Sequence, residues 1–318
     1  MPHLVLSVPE TVTSHYVIAT NDPLDDPRAA VPWRVAEEFR AAAVEALKTP
    51  RLGVFTIAAD EATWRLDDLL ASDDDRRRVR SSSHQILVVH RAPTVDQPRG
   101  EQTARAVARA IADASGGTLI DPQARQVVLR DGLARLERGW FRMGDQWFGT
   151  RYEFDETAAR PSHDGDLREM ESCACLSLTL LGLRRFGLPD LVIDDLACAH
   201  DLAALNLLRS LACRLLTDQW QWARHHPGKP TRPLNDHPRI DPEDFWTFWG
   251  ATPFVDSRPI TARLIPISRT RLKVAPPADY SGTRATWGRE VLVPAMPPLV
   301  GCPADEDSPW PHPAESEA

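Results

Sequence analysis

The stretch His84-Gln85-Ile86-Leu87-Val88-Val89-His90, followed by the helix-forming run 101–114 and then Gly116-Gly117-Thr118-Leu119-Ile120-Asp121, decides the fold class. Its Ile-Leu-Val-Val centre has no polar alternation, the pattern of a strand buried on both faces. Within 101–114, Ala104, Val107, Ala108 and Ile111 recur three and four residues apart and form one apolar stripe. The two glycines supply a helix stop. Residues 118–121 and 126–129 then read as strands around an Asp121-Pro122 turn. Strand, helix, strand is the smallest unit that packs a helix on a sheet. Upstream, 4–8 and 15–20 are short β-branched runs. Residues 34–48 read as a helix with Val35, Phe39, Ala42 and Ala46 on one face, closed by Pro50. A strand over 54–58 and a short helix from Asp60 to residue 70 follow. Asp73-Asp74-Asp75 ahead of Arg76-Arg77-Arg78 is nearly neutral and reads as a solvated loop or helix end.

Downstream, 140–143 and 146–151 flank Gly144-Asp145, a hairpin signal. Residues 169–181 alternate, with Met170, Ser172, Ala174, Leu176, Leu178 and Leu180 on the core face of a strand. A connection over 182–187 leads to a strand at 191–193. A long helix over 200–224 then presents Leu205, Leu208, Ala212 and Leu215 together. From 227 onward lie 17 of the chain's 28 prolines, so regular structure there must be short. One helix starts at Asp241-Pro242, and 263–267 and 272–274 read as strands. The expected fold class is α+β: two-layer sandwich(es) of mixed sheet with helices on one face, then a Pro-rich irregular C-terminal segment. The expected domains are an α+β body over 1–226, with 1–80 and 81–226 as candidate similar halves, a Pro-rich segment over 227–302 packing on the body, and a disordered acidic tail over 303–318.

The stretch Thr179-Leu180-Leu181-Gly182-Leu183-Arg184-Arg185-Phe186-Gly187-Leu188-Pro189-Asp190-Leu191-Val192-Ile193 resembles a hairpin pattern of uncharacterised bacterial α+β domains, Thr-x-Gly-Leu-x-x-Phe-Gly-x-Pro-Glu-Leu-x-Val. In that pattern the glycines supply backbone freedom, Phe186 plugs the core and Pro189 fixes entry to the second strand. Leu181 is inserted, and Asp190 stands where those domains usually carry glutamate. About 45 residues are covered. The resemblance implies a two-layer α+β sandwich and an immunity-like or accessory partner of a bacterial toxin. It transfers no catalytic residue.

Composition narrows the function classes. The 318 residues carry 37 basic and 45 acidic side chains, a formal charge of −8, which lacks the basic footprint of nucleic-acid binding. No apolar run reaches the roughly 20 residues of a membrane span. The opening Met1-Pro2-His3 has no basic n-region, so a cytoplasmic location is expected, with neither nucleic acid nor membrane as partner. Phosphate-cradling glycine motifs, His-Glu-x-x-His, Gly-x-Ser-x-Gly and Cys-x-x-Cys are all missing, and no cofactor is expected.

The candidate chemistry is sparse. Cys173 and Cys175 would share one strand face about 6.5–7 Å apart, beside Glu171, and could ligate a soft metal or oxidise. His163 heads an acidic run, Asp164, Asp166, Glu169 and Glu171, whose paired carboxylates could share general acid and base work. His225, His226 and His237 are zinc-type ligands in one loop region. Ser83 beside His84 is a nucleophile next to a base, but adjacent strand residues face opposite ways. Each has a simpler reading as a half-buried strand residue or a solvated loop charge. Cys198 and Cys213 read as small core residues of a helix. The expected function is therefore a non-catalytic protein-interaction protein, immunity-like or accessory, whose partner is another protein such as a toxin. The alternative is an enzyme or a small-molecule or metal-binding protein with its site near the 163–175 strand and the 225–244 loop.

Overall fold

Two five-stranded sheets organise the computed structural model, which describes residues 3–62, 69–128, 141–143, 146–155, 173–249 and 258–295. The strands in chain order are β1 (His3–Ser7), β2 (Thr11–Thr20), β3 (Leu52–Ala58), β4 (His84–Pro93), β5 (Thr118–Asp121), β6 (Gln126–Val127), β7 (Gly149–Phe154), β8 (Leu176–Leu181), β9 (Asp190–Leu196), β10 (Thr231–Asn235), β11 (Arg239–Ile240), β12 (Ile260–Thr261), β13 (Arg263–Ser268) and β14 (Arg271–Ala275). The helices used below are α1 (Val31–Arg34), α2 (Glu37–Leu47), α3 (Asp73–Arg80), α4 (Arg99–Ser115), α5 (Asp201–His225), α6 (Pro242–Trp249) and α7 (Arg284–Trp287). Helices and mixed sheets together make the chain α+β.

The first sheet has the order β3-β4-β2-β5-β6 and is antiparallel throughout. Tyr16, Ile18, Ile86 and Val88 share the face that packs on Phe39 and Ala43 of α2 and on Val107, Ala108 and Ile111 of α4. Val17, Ala19 and Ile120 occupy the opposite face, under Val79 of α3. On β4 only Ile86 and Val88 enter the core under α2 and α4, and Leu87 and Val89 on the other face are half-buried, so the strand is not buried on both faces as its run suggested. Gly116 ends α4 at φ 61°, a left-handed cap that favours glycine.

The second sheet has the order β13-β14-β9-β8-β7, with β14 parallel to β9 and the other pairs antiparallel. Leu176, Leu178, Leu180, Leu191 and Ile193 pack with Leu208, Ala212 and Leu215 of α5. The Pro-rich segment contributes β13 and β14 to this sheet. It also contributes β10, which pairs with β1 and brings Leu4 and Leu6 into the second core. A boundary near residue 80 would cut through the first sheet, because β4 and β5 both pair with β2.

Some local expectations are corrected. Residues 141–143 form no strand, and β7 pairs with β8 rather than with them. Trp147, 1% exposed, donates its indole N–H to the Arg142 carbonyl at 3.0 Å and stacks on Phe141 at 5.0 Å, so aromatic burial wins over a local ladder. Among the described residues the strand expected over 169–181 is formed at Leu176–Leu181, and residues 173–175 lead into it. Of the helix expected from Asp60 to residue 70, a turn forms at Ala59–Glu61, and residues 63–68 lie outside the described residues. Gly144, Asp145, residues 169–172 and the 303–318 tail lie outside the described residues. Among the described residues no helix is long and apolar enough to cross a membrane.

The turn between β8 and β9 joins the two sheets. Gly182 (φ 105°) and Gly187 (φ 83°) bracket Leu183–Phe186 in backbone conformations that glycine tolerates best. Arg185, fully buried, reaches from this turn to the first sheet. Its Nη2 donates to Asp121 Oδ1 at 2.6 Å, and its Nη1 donates to Asp121 Oδ2 at 2.7 Å and to Glu101 Oε1 at 3.0 Å. The Tyr16 hydroxyl donates to Glu101 Oε1 at 2.5 Å, and Ser14 donates to Oε2. Nearby, the buried guanidinium of Arg105 lies 3.1 Å from the centroid of the Trp147 ring. Burial alone would favour a neutral Arg185, but Asp121 and Glu101 hold its pKa well above the usual value.

Asp190, at the start of β9, closes the same turn by accepting the Gly182 and Leu183 N–H groups at 3.1 Å each. Burial raises its pKa to about 6, against the pull of Arg184 and of these two bonds. A carboxyl whose folded pKa is raised keeps its proton longer in the folded state than in the unfolded one. Its contribution to stability is therefore full below the unfolded value of about 3.9 and is lost as pH rises through about 6. Asp190→Asn keeps an acceptor for both N–H groups but does not titrate. Relative to wild type it should gain about 1–3 kcal/mol between about pH 4 and pH 7. Urea unfolding at each pH reads this directly, and parallel stability curves would contradict it.

Candidate functional site

The β8–β9 hairpin sets the one close cluster of metal-ligating side chains among the described residues. Its register pairs Leu176 with Leu196, so the residues just before β8 and just after β9 lie side by side. Cys173 and Cys175 enter on one arm, and Cys198 leaves on the other, in the short turn Cys198–His200. Their sulfur atoms all lie within 4.8 Å of one another. Cys175 Sγ is 3.5 Å from Cys173 Sγ and 3.1 Å from Cys198 Sγ, and the Cys198 backbone N–H donates to Cys173 Sγ at 3.1 Å. Cys173 and Cys175 are buried, Cys198 is half-buried, and Ala197 and Ala285 pack around them.

Polar contacts differentiate the three thiols. Burial works against ionisation of Cys173, but the Cys198 N–H and the two neighbouring thiols bring its pKa below the usual thiol value. Burial, reinforced by hydrogen bonding to the other two thiols, pushes Cys198 up instead. Cys198 opens a single helical turn, Cys198–His200, ahead of the long helix that begins at Asp201, and it packs on the Cys173 and Cys175 cluster. The third thiol was nevertheless within reach of the hairpin reading: once 176–181 and 190–196 pair, residue 175 must meet the region of 197 and 198.

The other candidates do not assemble. Glu171 and His163 lie outside the described residues. His225 and His226 are exposed at the end of α5, where their Nδ1 atoms bond the Gln221 and Trp222 carbonyls, and the His226 ring stacks on Trp222 at 4.9 Å. His237 Nδ1 pairs with Asp236 at 2.9 Å. None of the three joins a metal-ligating group among the described residues. Ser83 Oγ does lie 2.9 Å from His84 Nδ1. Ser83 precedes β4, so strand alternation does not separate the pair, but the contact is an exposed one between neighbours. Cys213 is a buried residue of α5, its pKa pushed up to about 11 by burial.

The sheet edges form the other notable feature. β7 carries the Arg151–Glu153 ion pair, β13 carries Arg263, Pro266 and a bulge, and β6 has two residues. Charge, proline, bulges and shortness are the usual guards against unwanted strand pairing. β3 reads Leu-Gly-Val-Phe-Thr-Ile-Ala, seven residues with no charge and no proline, and among the described residues its one strand neighbour is β4. Phe55 on this strand is 57% exposed. A Cβ on Gly53 would fall 2.5 Å from the Phe55 ring, so the ring lies along the strand over Gly53. Leu87 and Val89, half-buried, sit opposite Phe55 and Gly53 on β4 and continue the apolar surface. Comparisons with protein-family profiles, with curated proteins and with solved structures return no match for this chain.

Proposed function

We propose that this chain is a non-catalytic protein-interaction protein that binds an extended segment of another protein along the free edge of β3. The unguarded edge carries the reading. An incoming strand would satisfy the outward backbone groups of 52–58, and Phe55, Leu87 and Val89 would anchor its side chains. The formal charge of −8 steers the chain toward a basic partner. A bacterial toxin is the partner class that the hairpin resemblance implies, and an immunity-like or accessory role in a bacterial cytoplasm follows from it. Arg185, Glu101 and Asp121, all fully buried, are spent on joining the two sheets and face no open surface. The alternative, a site between the 163–175 strand and the 225–244 loop, finds support only in its thiols.

The test compares the tagged native chain with Phe55→Asp, both isolated from their own host. Phe55 is exposed, so the fold should tolerate the change, which circular dichroism and melting verify. The expected result is one stoichiometric partner with the native chain and at least a tenfold loss with the variant, as about 1.4 kcal/mol at a central anchor would give. A partner that binds both equally, no partner at all, or a homodimer formed through β3 would overturn the proposal.

A further inference from the structure

We infer that Cys173, Cys175 and Cys198 form a binding site for a single soft metal ion, Zn²⁺ or Cu⁺, held by three thiolates. Two observations independent of the β3 edge carry this inference. The first is distance. Thiolates on a tetrahedral zinc, with bonds of about 2.3 Å, lie about 3.8 Å apart. The sulfur atoms here are 3.1 and 3.5 Å apart across Cys175, and all three fall within 4.8 Å, so side-chain rotations that change these separations by at most about 1 Å bring them to that spacing. The second is the donor set. Three sulfurs converge on one point, and a disulfide would use two of them, whereas a metal uses all three.

The frame suits that role. Both arms of the β8–β9 hairpin are paired in the sheet, and the ligands sit at its open end, Cys173 and Cys175 just before β8 and Cys198 just after β9. The Cys198 N–H points at Cys173 Sγ, a hydrogen bond of the kind that stabilises a metal-bound thiolate. Sulfur-only ligation favours Zn²⁺ and Cu⁺ over Mg²⁺ or Ca²⁺, which take oxygen. Three protein ligands leave a fourth position on zinc for water or an exogenous ligand. Cys198, the half-buried member, gives the ion a way in.

The experiment uses the full chain, reduced and freed of metal, then titrated with Zn²⁺ and read by native mass spectrometry. A single retained ion per chain is expected, with release of thiol protons as it binds. Substitution with Co²⁺ should give the charge-transfer absorption of thiolate ligation, a signature that a purely structural thiol cluster would not produce. Cys173→Ser, Cys175→Ser and Cys198→Ser should each abolish retention and that absorption. Cys213→Ser and the combined His225→Ala, His226→Ala, His237→Ala variant should keep both. Cys198→Ser, at the half-buried position, is the variant least exposed to folding failure. Failure of the reduced wild-type chain to hold Zn²⁺, retention by the thiol variants, or a Cys175 to Cys198 disulfide mapped in protein purified without oxidant would each overturn the site. Partner binding at β3 is read separately, so loss of one proposal leaves the other standing.

Discussion

Replacing Arg185 with alanine should cost about 3–5 kcal/mol of folding stability, because it strands two buried carboxylates without their cation. Glu101 and Asp121 are both fully buried and both bond the Arg185 guanidinium. The bidentate bond to Asp121 reaches from the β8–β9 turn to the end of β5, and the bond to Glu101 reaches the first turn of α4. The loss therefore falls on the junction between the two sheets as well as on the fold as a whole. Asp121 keeps the backbone N–H groups of Gln123 and Ala124, and Glu101 keeps Tyr16 and Ser14, so the carboxylates are not left bare. Those bonds supply no opposite charge, however. Denaturant unfolding measures the effect. Arg185→Met with Glu101→Gln and Asp121→Asn should recover part of the loss, because an uncharged set has no unpaired charge to bury. A cost below about 1 kcal/mol for Arg185→Ala would show that the network contributes no more than an exposed ion pair.

Phe186→Ala should cost a similar amount, about 3–5 kcal/mol, by a different route. The ring is fully buried and meets Phe141, Trp147, Phe148 and Trp220 at centroid distances of 5.5, 6.2, 6.1 and 5.8 Å. The contacts to Phe141, Trp147 and Trp220 are edge-on, a geometry that adds stabilisation beyond buried area. Truncation leaves a cavity that large neighbouring rings cannot readily fill. Phe186→Leu should recover roughly half of the loss by restoring volume without the ring contacts. Urea unfolding followed by tryptophan fluorescence reads both stability and the environment of Trp147 and Trp220. A near-neutral alanine variant with unchanged fluorescence would contradict the packing role. Arg185 and Phe186 are neighbours on one turn, so the double variant should fall short of the sum of the two losses.

Much of the fold was legible because apolar periodicity reports burial directly. The helix expected over 200–224 is Asp201–His225, and Leu205, Leu208, Ala212 and Leu215 are all buried. Helix 101–114, its glycine stop and the strands around it follow the same logic, as does the 242 helix, where the Asp244 carboxylate accepts the Asp241 N–H at 2.8 Å. Pairing between distant segments was not legible. Nothing in 3–7 indicates that its partner is 231–235, and nothing in 263–267 or 272–274, though both read as strands, indicates that they join the second sheet beside β9.

The site was half visible. Cys173 and Cys175 stand out as a pair, but Cys198 follows an aliphatic strand and precedes a helix, and its helical surroundings suggested core packing. The Arg185 junction was hidden for a plainer reason. Arg184 and Arg185 are identical neighbours in an arginine-rich chain, and only the tight turn sends one side chain outward, 56% exposed, and buries the other completely. The β3 edge could not be read either, because Leu-Gly-Val-Phe-Thr-Ile-Ala looks the same in the middle of a sheet as at its margin.

Hydrogen–deuterium exchange on the chain alone and on its complex with the purified partner tests strand addition most directly. The account predicts slowed exchange of the amides in 52–58 on complex formation, with the already guarded β7 amides unchanged. Equal exchange of 52–58 in the free and bound chain, with protection appearing elsewhere, would contradict it.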